Sequence, residues 1–293
     1  MSLRGWVLFA AMSVIWGIPY LLIKVAVEGV SVPVLVFART AIGVAVLLPL
    51  ALSRPAWAQV LKHWRPALVF AFFEMIAAWL LLSDAERHLT SSLTGLLIAA
   101  APIIAVVLDR FTGGERQLGV KRIAGLGIGL AGVAALAGPA LSSGSAWPVT
   151  EVLLVATCYA IAPLVADRYL ADVPTLQLTA ACLGVAALVY AAPAAATWPD
   201  EIPSTRVLLA VAGLAVVCTA LAFLVFFALI REVGAARALV FTYVNPAVAL
   251  IAGVLVLSEP VTRWHLAGLA LILTGSVLAT RRSDATPTAT AVP

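Results

Sequence analysis

The chain has 293 residues, of which 63% are hydrophobic and only 11% charged, with a formal net charge of +4 and a mean hydropathy of +1.09. A soluble domain of that size has no interior large enough to hide so much apolar surface, so composition places the chain in a lipid bilayer. The connections between apolar runs are short, and GxxxxGK[ST], HExxH and GxSxG are all missing from the sequence. That removes the support for an ATP-driven pump and for a zinc- or serine-type intramembrane hydrolase, and no cofactor or metal is expected.

In chain order the apolar runs predict ten helices, over 3–27, 33–52, 66–83, 90–109, 119–138, 147–166, 174–196, 206–230, 236–257 and 263–280. Each is about 20 residues long, enough at 1.5 Å per residue to cross roughly 30 Å of hydrocarbon. The runs are continuous rather than alternating, which argues against a β-barrel. The first run is too long for a secretory signal and passes through Trp16, Tyr20 and Lys24 without a cleavage site. Cys158, Cys182 and Cys218 fall in three different runs, so neither a disulfide framework nor a metal spacing follows from them. With the amino terminus inside, thirteen of the eighteen Lys and Arg residues fall on inner loops and flanks. Four fall outside and Arg39 lies within a run, so the bias puts both termini in the cytoplasm. The tail 283–293 is small, polar and expected to be disordered.

A repeat organises the chain. Asn245-Pro246, Glu259, Gly268 and Gly275 echo Ala101-Pro102, Glu115, Gly125 and Gly132, and in both copies the acidic residue lies thirteen positions after the proline. Trp16-Gly17-Ile18 aligns with Tyr159-Ala160-Ile161, and Val32-Pro33 with Val173-Pro174. The halves 1–140 and 141–282 thus hold five runs each. Five is odd, so the second half starts from the opposite side of the membrane and the repeats are inverted, an architecture suited to alternating access. The expected fold class is an all-α integral membrane protein of ten transmembrane helices, built as two inverted five-helix repeats around a central cavity.

This ordered set, from Trp16-Gly17 and Arg39 through Tyr243-Val244-Asn245-Pro246 and Ser258-Glu259-Pro260 to Gly268 and Gly275, resembles the drug/metabolite transporter superfamily in its ten-span EamA branch. The resemblance covers nearly the whole chain, and general similarity makes YddG-type exporters of aromatic amino acids its nearest well-described counterpart. It implies that spans 1, 3, 4, 6, 8 and 9 surround a cavity, with 5 and 10 peripheral. It also implies export of amino acids or related metabolites across the bacterial inner membrane.

Candidate substrate contacts follow from residue chemistry. Trp16, Tyr20 and Lys24 recur every four residues and share one face, interrupted by Pro19. Lys24 is read either as meeting a substrate carboxylate or a headgroup, or as snorkelling at the interface. Glu74, near the middle of its run, is expensive in hydrocarbon and must be protonated or paired; it is a candidate for a substrate amino group or a coupling proton, or for a structural bond to Arg39. Arg39 itself reads as structural. Trp79, with Phe72 on the same side, offers an apolar wall. Tyr159 is deeper than Glu151 on a shared face, with Glu151 at the outer rim. Arg237, Phe241 and Asn245 form a stripe, and Asn245 precedes Pro246, which frees backbone polar groups. Gly125, Gly129 and Gly132 read as a helix-packing face, and Glu115 and Glu259 as ties between helix ends. The expected substrate contacts are Trp16, Tyr20, Glu74, Trp79, Tyr159, Phe241 and Asn245. The expected partners are a small-molecule substrate, the bilayer and a coupling proton, with the chain a monomer or homodimer and no nucleic acid involved. A channel lacks its continuous polar stripe, and an intramembrane enzyme lacks its polar cluster. Carriage of cationic drugs or nucleotide sugars, import, and a receptor or scaffold role stay open.

Overall fold

The computed structural model describes residues 1–111 and 119–280, so Glu115 and the tail from Arg281 lie outside the described residues. Among the described residues eight helices are long and apolar enough to cross a membrane. They are α1 (Leu3–Ala26), α2 (Val32–Ala51), α3 (Trp64–Ala85), α4 (Ser91–Leu108), α5 (Val120–Ser142), α6 (Ala146–Tyr169), α7 (Thr175–Ala196) and α8 (Thr205–Val233). Two shorter apolar helices come after them, α9 (Asn245–Leu257) and α10 (Arg263–Thr280). Helices suit this sequence because hydrocarbon offers backbone groups no partner but one another. Orphan amides at the helix starts are met by side chains: Ser2, Ser31, Thr90 and Ser204 accept from Gly5, Val34, Leu93 and Val207.

The helices nearest the centre are irregular where sequence periodicity predicts continuous runs. α1 breaks at Trp16-Gly17-Ile18 and resumes at Pro19, and α4 breaks after Ile98 and resumes at Ala101. The expected run 236–257 is a short turn of helix, a 3-10 segment Leu239–Tyr243, and only then α9. α3 and α8 each contain a π segment, Phe72–Ile76 and Gly213–Leu221. A π segment adds residues to a turn and re-aims the turns beyond it. This is why Phe72 and Trp79 do not share a face: Phe72 is exposed on the outside, packed edge-on against Phe73, whereas Trp79 is buried. The connection expected over 53–65 is itself a surface helix, Arg54–Lys62, anchored by Trp57 Nε1 donating to the Ala51 carbonyl at 2.6 Å.

Packing pairs α5 with α10 along their length, α2 with α7, α4 with α9, α3 with α6, and α1 with α8. Small residues let backbones approach where no hydrophobic drive separates helix from lipid. A Cβ built on Gly125 would lie 2.8 Å from the Gly275 carbonyl, and one on Gly132 would lie 2.8 Å from the Ile272 amide. Gly17 fits against Val248 of α9, where a Cβ would come within 2.5 Å of that side chain.

At one end of the bundle two polar ties cross between helices. Lys24 Nζ donates to the Glu86 and Leu89 carbonyls, both at 2.7 Å, so it closes the α3–α4 connection rather than reaching lipid or the central cavity. The Glu259 carboxylate accepts from the Ser91 amide at 2.8 Å, from the Ser92 amide at 2.9 Å and from both serine hydroxyls, tying the end of α9 to the start of α4. Ser258, in the left-handed region at φ 55°, turns the chain to deliver it. Glu86, fully buried with both carboxylate oxygens lacking a hydrogen-bond partner, lies beside these two ties. Glu151 is 3% exposed next to Asp84, in a pocket it shares with residues of the α1–α2 connection.

Candidate functional site

A cavity of about 670 Å³ sits where the helix irregularities converge. The break in α1 presents Trp16, Pro19 and Tyr20, the π segment of α3 presents Glu74, and the turn beyond it presents Trp79 and Leu82. α4 contributes Gly95 and the residues around its break, α6 contributes Tyr159 and Pro163, and α8 contributes Cys218 and Phe223. The distorted start of α9 contributes Thr242, Tyr243, Asn245 and Pro246. The irregularities of α1, α3, α8 and the start of α9 each bring a polar or aromatic group to the lining, whereas the break in α4 contributes only small and apolar residues.

Six of the seven residues singled out from sequence are brought together on this lining: Trp16, Tyr20, Glu74, Trp79, Tyr159 and Asn245. Phe241 is not on it. It is fully buried behind Trp16, with ring centroids 5.4 Å apart, and belongs to an aromatic cluster with Phe226. Trp16 therefore forms the cavity-side face of a rigid block, 5.8 Å from Phe223 and 5.2 Å from Phe226. Asn245, with its amide oriented to suit its neighbours, donates to the Ser13 and Phe241 carbonyls at 3.1 Å each. It thereby joins the two broken helices while its side chain borders the cavity.

Arg39 is the group that sequence reasoning left outside the site. It projects from α2, which the family resemblance did not count among the cavity helices, and lines the cavity beside Trp79. Its Nε donates to Thr219 Oγ1 at 2.9 Å, and its guanidinium carbon lies 3.6 Å from the Trp79 ring centroid. Thr219 can accept that bond because its own hydroxyl hydrogen goes to the Leu214 carbonyl at 2.8 Å, five residues back, as the π segment of α8 allows. The available signal was a lone arginine in mid-run, a position that is costly in hydrocarbon unless the side chain faces protein or a cavity. Glu74, Tyr20 and Tyr159 all lie within electrostatic reach of it. Among the described lining residues Arg39 is the one cation and Glu74 the one anion.

Comparison with known proteins agrees with this architecture. The EamA-like transporter family matches twice, over residues 3–138 and 146–281. The chain is 26% identical over 96% of its length to the uncharacterized transporter YvbV of Bacillus subtilis, covering 93% of that protein. It is 26% identical to the uncharacterized inner membrane transporter YedA of Escherichia coli K12, covering 92% of this chain and 88% of the relative. A crystal structure sharing 21% identity superposes with a TM-score of 0.63 over 94% of this chain and 96% of the other, a likeness of fold. With both halves of the chain matched and a central cavity walled by broken helices, the chain belongs to the EamA-like transporter family.

Proposed function

We propose that this protein is a secondary transporter of ten membrane-crossing segments that exports amino acids, aromatic ones among them, or similar small amphiphilic metabolites by alternating access across the cytoplasmic membrane. The observation that carries this reading is the cavity itself: about 670 Å³, mostly apolar, bordered by Trp16 and Trp79, with one guanidinium and one carboxylate. A zwitterion with an apolar side chain matches that pattern, since its carboxylate and ammonium complement the one guanidinium and the one carboxylate of the lining. The double family match and the pairing of helices support the inverted repeat: numbering the halves alike, contact of α3 with α6 corresponds to contact of α8 with α1.

Access in this state is assigned to the side of the amino terminus. Cavity lining extends to Pro163 near the end of α6 and to Leu239 and Val240 before α9, whereas the Lys24 and Glu259 ties close the opposite end. Substrate binding near Trp16, Tyr20, Glu74, Trp79, Tyr159 and Asn245 is tested by uptake and counterflow in liposomes over amino acids, sugars, nucleotide sugars and cationic drugs, with and without a proton gradient. Amino acids are expected to exchange, and alanine at Tyr159, Trp79 or Asn245 to slow exchange without loss of folded protein. Exchange confined to sugars or cationic drugs would discard the amino-acid reading. If Glu74 carries a coupling proton, Glu74→Gln abolishes gradient dependence while sparing exchange; retained dependence removes that role.

A further inference from the structure

Arg39 is 7% exposed, yet its hydrogen-bonding capacity is only partly used within the protein. Nε is committed to Thr219, and Trp79 covers one face of the guanidinium. Nη1 and Nη2 donate to no acceptor among the described residues and neither is fully enclosed, which leaves them available to the cavity that Arg39 lines. Guanidinium forks match carboxylates with two parallel hydrogen bonds, and holding the fork rigid in advance reduces the ordering needed on binding. Here the stacked ring and the Thr219 bond do that holding. The remaining positive group nearby, Lys24, is engaged by the Glu86 and Leu89 carbonyls and is absent from the lining.

We propose that Arg39 is the carboxylate ligand of the cavity, taking a substrate carboxylate end-on through Nη1 and Nη2. This rests on the transporter reading of the same site and narrows its substrate class to carboxylic acids and zwitterions. Glu74 sets the limit on charge. A phosphate ester would bring two negative charges beside Glu74 against one guanidinium, whereas a carboxylate with an adjacent ammonium satisfies both side chains. Amines without a carboxyl group leave Arg39 unpaired, so they bind more weakly than the matching amino acid.

The test uses the purified full chain with matched sets built on methyl, isobutyl and benzyl groups: the amino acid, its decarboxylated amine, its deaminated acid and the phosphate monoester. Binding is read by calorimetry, and transport separately by counterflow. Amino acids and acids are expected to bind in at least one set and phosphate monoesters in none. Arg39→Gln lowers the affinity for the carboxylates about 10- to 100-fold, as expected for loss of a charge-assisted bidentate pair, while amine affinity stays level or rises. Thr219→Val keeps the charge and frees Nε; it weakens the carboxylates alone, by a smaller factor, and serves where Arg39→Gln does not fold. An equal loss for amines and carboxylates in both variants would show a purely structural arginine and overturn the proposal, as would failure of every carboxylate to bind the unaltered protein. Carboxylates that bind through Arg39 but do not exchange across the membrane would instead sink the export reading and leave the ligand assignment standing.

Discussion

Trp16 and Phe241 pack against one another with tilted rings, yet they have different surroundings and should fail differently when truncated. Trp16 borders the cavity, so Trp16→Ala removes apolar wall and is expected to weaken aromatic substrates by about 3- to 10-fold, the worth of one aromatic contact. Phe241 is fully enclosed, with Trp16 and Phe226 against its ring, so Phe241→Ala leaves a void and costs roughly 3–5 kcal/mol of stability. Thermal unfolding of the two purified variants beside counterflow kinetics separates these outcomes; a Phe241→Ala protein with normal stability and altered substrate preference would contradict the placement. Arg39 illustrates the same dependence on surroundings. A mid-membrane arginine is tolerated here because Thr219 and the Trp79 face supply a hydrogen bond and a cation–π contact of about 2 kcal/mol when desolvated.

At the scale of elements, the tie between α9 and α4 depends on a glycine. A Cβ at Gly253 would run into the Glu259 carboxylate and the Ser92 hydroxyl, so Gly253→Ala should displace the clamp without touching the cavity. Glu259→Gln keeps the shape but turns one of the two acceptor oxygens into an NH2 group facing a serine amide N–H, so at least one bond is lost and the rest lose their charge; it is expected to cost about 1–3 kcal/mol, measured as a lowered melting temperature. If the clamp holds the closed end during transport, both variants also raise leak of substrate through reconstituted vesicles; unchanged leak would confine Glu259 to a structural role. The α5–α10 face behaves as a separate unit. Gly275→Leu forces a side chain into the Gly129 backbone and should destabilise the bundle by about 1–3 kcal/mol or more while leaving substrate affinity in the surviving folded protein unchanged.

For the whole molecule, alternating access predicts a sidedness that labelling can read. With Cys218 replaced by alanine, since it borders the cavity, a cysteine at Val240 should react with an impermeant thiol reagent from the amino-terminal side of sealed vesicles. Reaction from the opposite side only would reverse the assignment of access. Added substrate should change the rate, because closing the cavity around a ligand shifts the population between the two states. On the proposed inverted-repeat reading, the α3–α6 and α8–α1 contacts would exchange roles when the halves exchange conformations, while α5–α10 would stay packed.

Hydropathy, run length and the repeated proline–glutamate–glycine order were legible in the sequence because they reflect a solvent, the bilayer, and a duplication that leave marks on every span. Trp16, Tyr20, Trp79 and Tyr159 were also recoverable, since aromatic and polar side chains in mid-run are few. What required the tertiary structure was which way such residues point. Two π segments re-register α3 and α8, turning Phe72 outward and placing Thr219 to hold Arg39, and no period of 3.6 residues foretells them. Phe241 and Asn245 lie on one sequence stripe, yet the 3-10 segment before α9 sends the first into the aromatic block and the second to the cavity edge. Sequence by itself determined that the chain is a helical membrane protein with a repeat; only the packing of distorted helices against one another decided which charges share a cavity, because that depends on where backbone hydrogen bonding yields.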